Sequence, residues 1–143
     1  MDDQQRAFLQ SHRLCVIGVD RRTGPPSLTP VYYVMDGDDL LISTTSTRAK
    51  TKLIRRNPEV SLCVLHEEFP FPYLTVFGRG RIEEDGAADL MARVGAAMGA
   101  PPLTPETRAA LEQRAAQEGR IVLRVTPERV ISTPPRAPAA RQG

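Results

Sequence analysis

Between Leu40 and Pro58 the chain reads Leu-Leu-Ile-Ser-Thr-Thr-Ser-Thr-Arg-Ala-Lys-Thr-Lys-Leu-Ile-Arg-Arg-Asn-Pro, and this stretch restricts the fold more than any other. An apolar strand must give way to five consecutive hydroxyl residues, Ser43, Thr44, Thr45, Ser46 and Thr47, and then to a basic helix that stops near Asn57-Pro58. A strand that feeds hydroxyls and cations into a helix N-terminus makes a natural anion site. Unpaired backbone N–H groups, the positive end of the helix dipole and the hydroxyls can all face one phosphate. Arg48 offers a planar fork to such a group and Lys50 a point charge. At about 100° per residue, Arg48, Lys52, Arg55 and Arg56 fall on one side of the helix. Ala49, Leu53 and Ile54 spread over the other, with Lys50 among them. A lysine there costs desolvation unless it snorkels to water or meets an anion, and both readings stand on this stretch alone.

The 143 residues suit one domain with a single core, and 41% hydrophobic against 25% charged residues is the balance of a globular protein rather than a disordered or fibrous one. No apolar run approaches the roughly 18 residues of a membrane span, and the polar start Met1-Asp2-Asp3-Gln4-Gln5-Arg6 is not a signal peptide, so the expected setting is cytoplasmic with no membrane partner. A net charge of +2 is too small to imply nucleic acid, and the short basic cluster has no aromatic stacking platform beside it. Cys15 and Cys63 lie in apolar runs and read as buried free thiols. With His12 and His66 they form no metal-ligand spacing.

Taken in order, Asp3–His12 reads as a lead-in helix and Leu14–Val19 as a buried strand closed by the turn at Gly24-Pro25-Pro26. Leu28–Met35 pairs through Asp36-Gly37-Asp38 with Leu40–Thr44 in a hairpin. Beyond the basic helix come a strand at Val60–Leu65, the stiff link Phe69-Pro70-Phe71-Pro72 and a long strand at Tyr73–Glu84, in which Gly78 and Gly80 predict a bend or a close backbone approach. Ala87–Gly99 is helical with Leu90, Met91, Val94 and Met98 on one face. A further helix starts at Thr104-Pro105 and ends at Gly119. Arg120–Ile131 holds the last strand, and residues 133–143 form a Pro/Ala/Arg-rich tail too poor in apolar groups to order itself. Hairpin-linked strands with late helices predict an α+β protein, a six-stranded antiparallel barrel with a crossover helix between its third and fourth strands.

Five segments in this order resemble a known family. They are Leu28-Thr29-Pro30-Val31-Tyr32-Tyr33; Leu41-Ile42-Ser43-Thr44-Thr45 with Arg48-Ala49-Lys50; Arg55-Arg56-Asn57-Pro58-Glu59-Val60-Ser61-Leu62; Val76-Phe77-Gly78-Arg79-Gly80; and Arg120 to Val130. The chain is similar in them to the pyridoxamine 5'-phosphate oxidase-like split β-barrel family, and within it to the branch of small flavin/deazaflavin oxidoreductases that use coenzyme F420. The resemblance implies a six-stranded antiparallel split β-barrel of the FMN-binding type over residues 1–132, with peripheral helices, assembled as a homodimer with cofactor sites at the interface. It implies that Ser43, Thr44, Thr45, Arg48 and Lys50 hold a cofactor phosphate. Thr29, Pro30 and Val31 would run along the tricyclic ring, and Arg55 and Arg56 would reach the acidic side of the cofactor or pair on the surface. The implied activity is hydride transfer from F420 to an electron-poor small molecule, with Tyr32, Tyr33 or water as proton source. An FMN-dependent oxidase or reductase, or a non-catalytic flavin or haem carrier, are the alternatives on the same scaffold.

Overall fold

The computed structural model describes residues 1–133, so the predicted tail, apart from Thr133, lies outside the described residues. Among the described residues four helices and six strands follow in the order α1 (Asp3–Ser11), β1 (Leu14–Val19), β2 (Ser27–Asp36), β3 (Asp39–Thr45), α2 (Ala49–Arg56), β4 (Glu59–Leu65), β5 (Tyr73–Glu83), α3 (Ala87–Ala97), α4 (Pro105–Glu118) and β6 (Arg120–Ser132). The strands close into a barrel in the order β1-β2-β3-β6-β5-β4, with every pair antiparallel. The predicted fold class and the crossover between the third and fourth strands both hold.

Alternation decides what each strand buries. Cys15, Ile17 and Val19 of β1, Leu40 and Ile42 of β3, Leu62 and Val64 of β4, and Leu123 and Val125 of β6 point inward and form one core with Leu9 of α1 and Ile54 of α2. On the outside, Leu41 and Val122 carry α3 through Leu90, with Val34 and Val94 packed at the edge. Gly78 marks a bulge in β5: a Cβ there would stand 2.5 Å from the Thr126 carbonyl oxygen, so only glycine fits against β6. Capping follows the sequence signals, since Thr104 accepts from the Thr107 N–H with Pro105 in the first turn, and α4 ends on Gly119 in the left-handed region at φ 62°.

Two expectations change. Cys63 is only half-buried, because Val16↔Cys63 pairing sets it on the outward side of β4 while Cys15 faces the core. The aspartates of the β2–β3 hairpin are more than turn formers. Asp38 accepts from Arg6 at 2.7 Å, and Asp36 and Asp39 both accept from Arg124, at 2.9 and 3.1 Å, beside an Arg124–Glu83 pair. Those bonds raise the already high Arg124 pKa, and the hairpin is thereby tied to β6.

Candidate functional site

β2 and β3 pair only from Tyr33↔Ile42 to Asp36↔Asp39. Beyond that point Thr29–Tyr32 stays with β1 while Ser43–Thr45 stays with β6, and the barrel wall opens between them. The Tyr33 N–H donates to the Arg13 carbonyl at 2.8 Å on the β1 side. Backbone alternation then turns Pro30 and Tyr32 toward the opening. Pro30, which has no N–H to give, therefore sits where no ladder donor is required.

A cavity of about 460 Å³ fills this opening. Thr29, Pro30, Val31 and Tyr32 of β2 and Ser43 and Thr44 of β3 form its floor. Arg48 and Lys50 of the α2 entry close one end. Met91, Val94, Gly95 and Met98 of α3 and Leu111 of α4 make an apolar wall, and Arg114 and Arg120 complete it. Seven of the ten residues singled out in the sequence thus meet in one place.

Polar groups at the α2 end have no partner among the described residues. The Ser43 and Thr44 hydroxyl oxygens are buried and unbonded, and Thr44 is 2% exposed. Lys50 is 8% exposed and makes no hydrogen bond or ion pair to a described residue; burial first, and then Arg48, holds its amino group below the ordinary value. The Ala49 and Lys50 N–H groups find no acceptor among the described residues, and Arg48 caps the helix through backbone alone. Lys50, Ser43 and Thr44 all line the cavity, and a buried cation beside unpaired hydroxyls at a helix N-terminus is a setting that an anion satisfies. The residues present therefore fit the phosphate of a flavin or deazaflavin.

Helix phase corrects part of the sequence reading. The buried residues of α2 are Lys50, Thr51 and Ile54, with Leu53 half-buried and Ala49 exposed. Thr51, not singled out in the sequence, is wholly buried and its hydroxyl donates to the Thr45 carbonyl at 2.8 Å. Thr45 itself does not line the cavity; it shapes the turn through its carbonyl, which also accepts from the Arg48 N–H. Arg55 and Arg56 lie elsewhere, in a separate basin of about 770 Å³ with Arg21, Arg22 and Lys52. Of the two tyrosines, Tyr32 faces the cavity. Tyr33 is buried in the core, its hydroxyl donating to the Leu9 carbonyl at 2.7 Å and its pKa raised by burial, so it is not a proton source for this site. His12 and His66 bond each other at 3.1 Å away from the cavity.

A family profile described as Pyridoxamine 5'-phosphate oxidase matches residues 1–133. The chain belongs to the pyridoxamine 5'-phosphate oxidase family. Solved structures agree on the split-barrel fold. A conserved hypothetical protein from Mycobacterium tuberculosis superposes with a TM-score of 0.79 at 19% identity, covering 100% of this chain and 95% of the other. An F420 reductase superposes at 0.72 and 21% identity, over 92% and 98% of the two chains. HutZ, the heme storage protein from Vibrio cholerae, superposes at 0.66 and 16% identity over 91% of each chain. No curated protein matches the chain. Proteins with such different activities in their names share the fold, so the cavity's own chemistry must decide the reading for this chain.

Proposed function

We propose that this chain is an oxidoreductase that binds a deazaflavin, coenzyme F420, in the cavity between β2, β3, α2 and α3, and passes hydride to an electron-poor small molecule. The observation that carries the reading is Lys50, buried without a hydrogen bond or ion pair among the described residues, together with the unpaired hydroxyls of Ser43 and Thr44, three residues that line a cavity walled on its α3 side by apolar groups. Arg48, Lys50, Ser43 and Thr44 would hold the cofactor phosphate, with Thr45 setting the turn. Thr29, Pro30 and Val31 would lie along the ring. Bound there, the cofactor supplies a ring that carries hydride, chemistry no side chain of the chain offers. The chain's own contribution is position and environment. The split edge of β2 presents backbone at the Tyr32 position, Met91, Val94 and Met98 would exclude water, and Tyr32, which lines the cavity, or a water would donate the proton to a reduced acceptor.

A homodimer suits the same geometry. The registers Leu28↔Gly18↔Ser61↔Phe77 and Tyr32↔Leu14 lay one outward row across β2, β1, β4 and β5. On it Leu28 is 71% exposed and Phe77 41% exposed, an apolar sheet face of the kind a second copy covers. Pro30 and Tyr32 belong to both this face and the cavity wall, so the partner would complete the site.

FMN shares the ring and phosphate, and the phosphate end of the cavity accepts either. Neither histidine lines the cavity, so among the described residues no imidazole there awaits a haem iron. The test is to add reduced F420 to the purified protein with a panel of quinone, nitroaromatic and unsaturated acceptors and follow ring absorbance. Protein-dependent oxidation of the ring supports the proposal. FMN retained through purification with oxygen as acceptor transfers the site to flavin chemistry, and binding without turnover on any acceptor makes the protein a carrier.

A further inference from the structure

Where α4 runs into β6, the cavity carries a second arrangement of charge. Glu118, in the last turn of α4, accepts from Arg114 Nε through one carboxylate oxygen at 3.1 Å and from Arg120 Nε through the other at 2.7 Å. Both arginines line the cavity, Glu118 does not, and the two salt bridges hold Glu118 below the usual carboxylate range. Tethering each guanidinium at Nε leaves its two terminal nitrogens without a protein partner among the described residues, in a fork suited to a carboxylate or phosphate. The fork is fixed to the α2 entry by backbone, since the Ser46 N–H donates to the Gly119 carbonyl at 2.9 Å and Arg120 pairs with Thr45.

Charge counting asks for more than one anion. Among the described residues Arg48, Lys50, Arg114 and Arg120 line the cavity, no aspartate or glutamate does, and Glu118 offsets one of the four. The positive end of α2 and the negative end of α4 contribute about half a charge each and cancel. Three positive charges remain. A phosphate monoester brings about −1.5 to −2 and leaves the cavity positive; a phosphodiester brings less.

Resting on the cofactor reading above, we propose that Arg114 and Arg120, held by Glu118, form a second oxyanion subsite in the cavity, so that the bound small molecule carries an acidic group beyond its ring-side phosphate. The group comes from the cofactor's own acidic tail or from a carboxylate on the acceptor, and both present the same oxygen pair to the fork. The subsite is distinct from the basin of Arg55 and Arg56, which lines a separate cavity.

The test titrates wild-type protein, Arg114→Gln, Arg120→Gln and an Arg55→Gln/Arg56→Gln double variant with FMN and with oligoglutamyl F420 by calorimetry. It then titrates the cofactor-loaded proteins with 1,4-naphthoquinone and its 2-carboxylate. If the acid belongs to the cofactor, F420 affinity falls tenfold or more in both fork variants while FMN affinity changes less than twofold. If it belongs to the acceptor, cofactor affinities hold and only the carboxylated quinone weakens tenfold. Circular dichroism with unchanged melting shows that the variants fold. Equal weakening of FMN and F420, no change with any probe, or loss confined to the Arg55/Arg56 variant each overturns the second subsite. Failure of the wild type to bind either cofactor instead overturns the cofactor reading itself.

Discussion

The hydroxyl of Thr51 donates to the carbonyl of Thr45 at 2.8 Å, joining the end of β3 to the first turn of α2 from inside the fold. Both sides of the proposed phosphate site hang from this bond, because Ser43 and Thr44 precede Thr45 and Lys50 precedes Thr51.

Thr51→Val keeps the shape and removes the donor, leaving a carbonyl short of one partner. We expect a loss of about 1 kcal/mol in stability by urea denaturation, and weaker cofactor binding, with Thr51→Ser close to wild type in both. Wild-type stability in the valine variant would remove the bond from this account.

Lys50 gives a pH signature. Burial lowers its pKa in the folded chain, so the folded state binds that proton less readily than the unfolded state does. Below the folded pKa the free protein therefore carries the full cost of a buried ammonium. The cost fades as pH climbs from the folded value toward the ordinary 10.5, where the unfolded chain also loses its proton. Lys50→Met should thus melt higher than wild type without cofactor at about pH 7, with the advantage shrinking as pH approaches 10.5. The same variant should lose cofactor affinity by about 1–3 kcal/mol, the scale of a charge-assisted contact. A variant less stable at neutral pH with unchanged affinity would assign Lys50 a purely structural role.

Gly80 seats α2. A Cβ at this position would stand 3.0 Å from Leu123 Cδ1 and 3.1 Å from Ile54 Cγ2, and Ile54 is the buried anchor of the helix that carries Lys50. Gly80→Ala should cost about 1–3 kcal/mol by overpacking and should weaken the cofactor as α2 shifts. Denaturation and a binding titration on one preparation check both.

The exposed barrel face makes a prediction about assembly. Analytical ultracentrifugation should give a dimer for wild type and a monomer for Leu28→Asp/Phe77→Asp, since facing carboxylates at a covered apolar row oppose association. A wild-type monomer at all concentrations would remove the dimer from the proposal.

Much of this architecture was legible in the chain because it follows local rules. Turn residues at Gly24-Pro25-Pro26 and Asp36-Gly37-Asp38 delimit the strands, Thr104-Pro105 and Gly119 bracket α4, and the hydroxyl run before Arg48 marks the helix entry. The position of Lys50 on the inner side of α2 was readable from periodicity; that of Thr51 was not, since a short helix of eight residues fixes its phase through Ile54 packing on β5 rather than through sequence. The cavity's far wall was hidden for a different reason. Met91, Val94 and Met98 read as an ordinary apolar face, and Arg114 and Arg120 were not singled out as site residues; α3 and α4 bring them together by folding back across the opening between β2 and β3. The one signal for Arg114 was the i,i+4 spacing to Glu118, which also describes any surface pair.

The measurement that bears most directly on the central claim is a fluorescence titration of the purified protein with coenzyme F420 and FMN, repeated on Lys50→Met. The account predicts saturable binding of the deazaflavin to wild type, tighter than FMN, with a loss of tenfold or more when Lys50 is replaced. Absence of binding by either cofactor, or equal affinity in wild type and Lys50→Met, would contradict the assignment of the Ser43–Lys50 entry as the phosphate site.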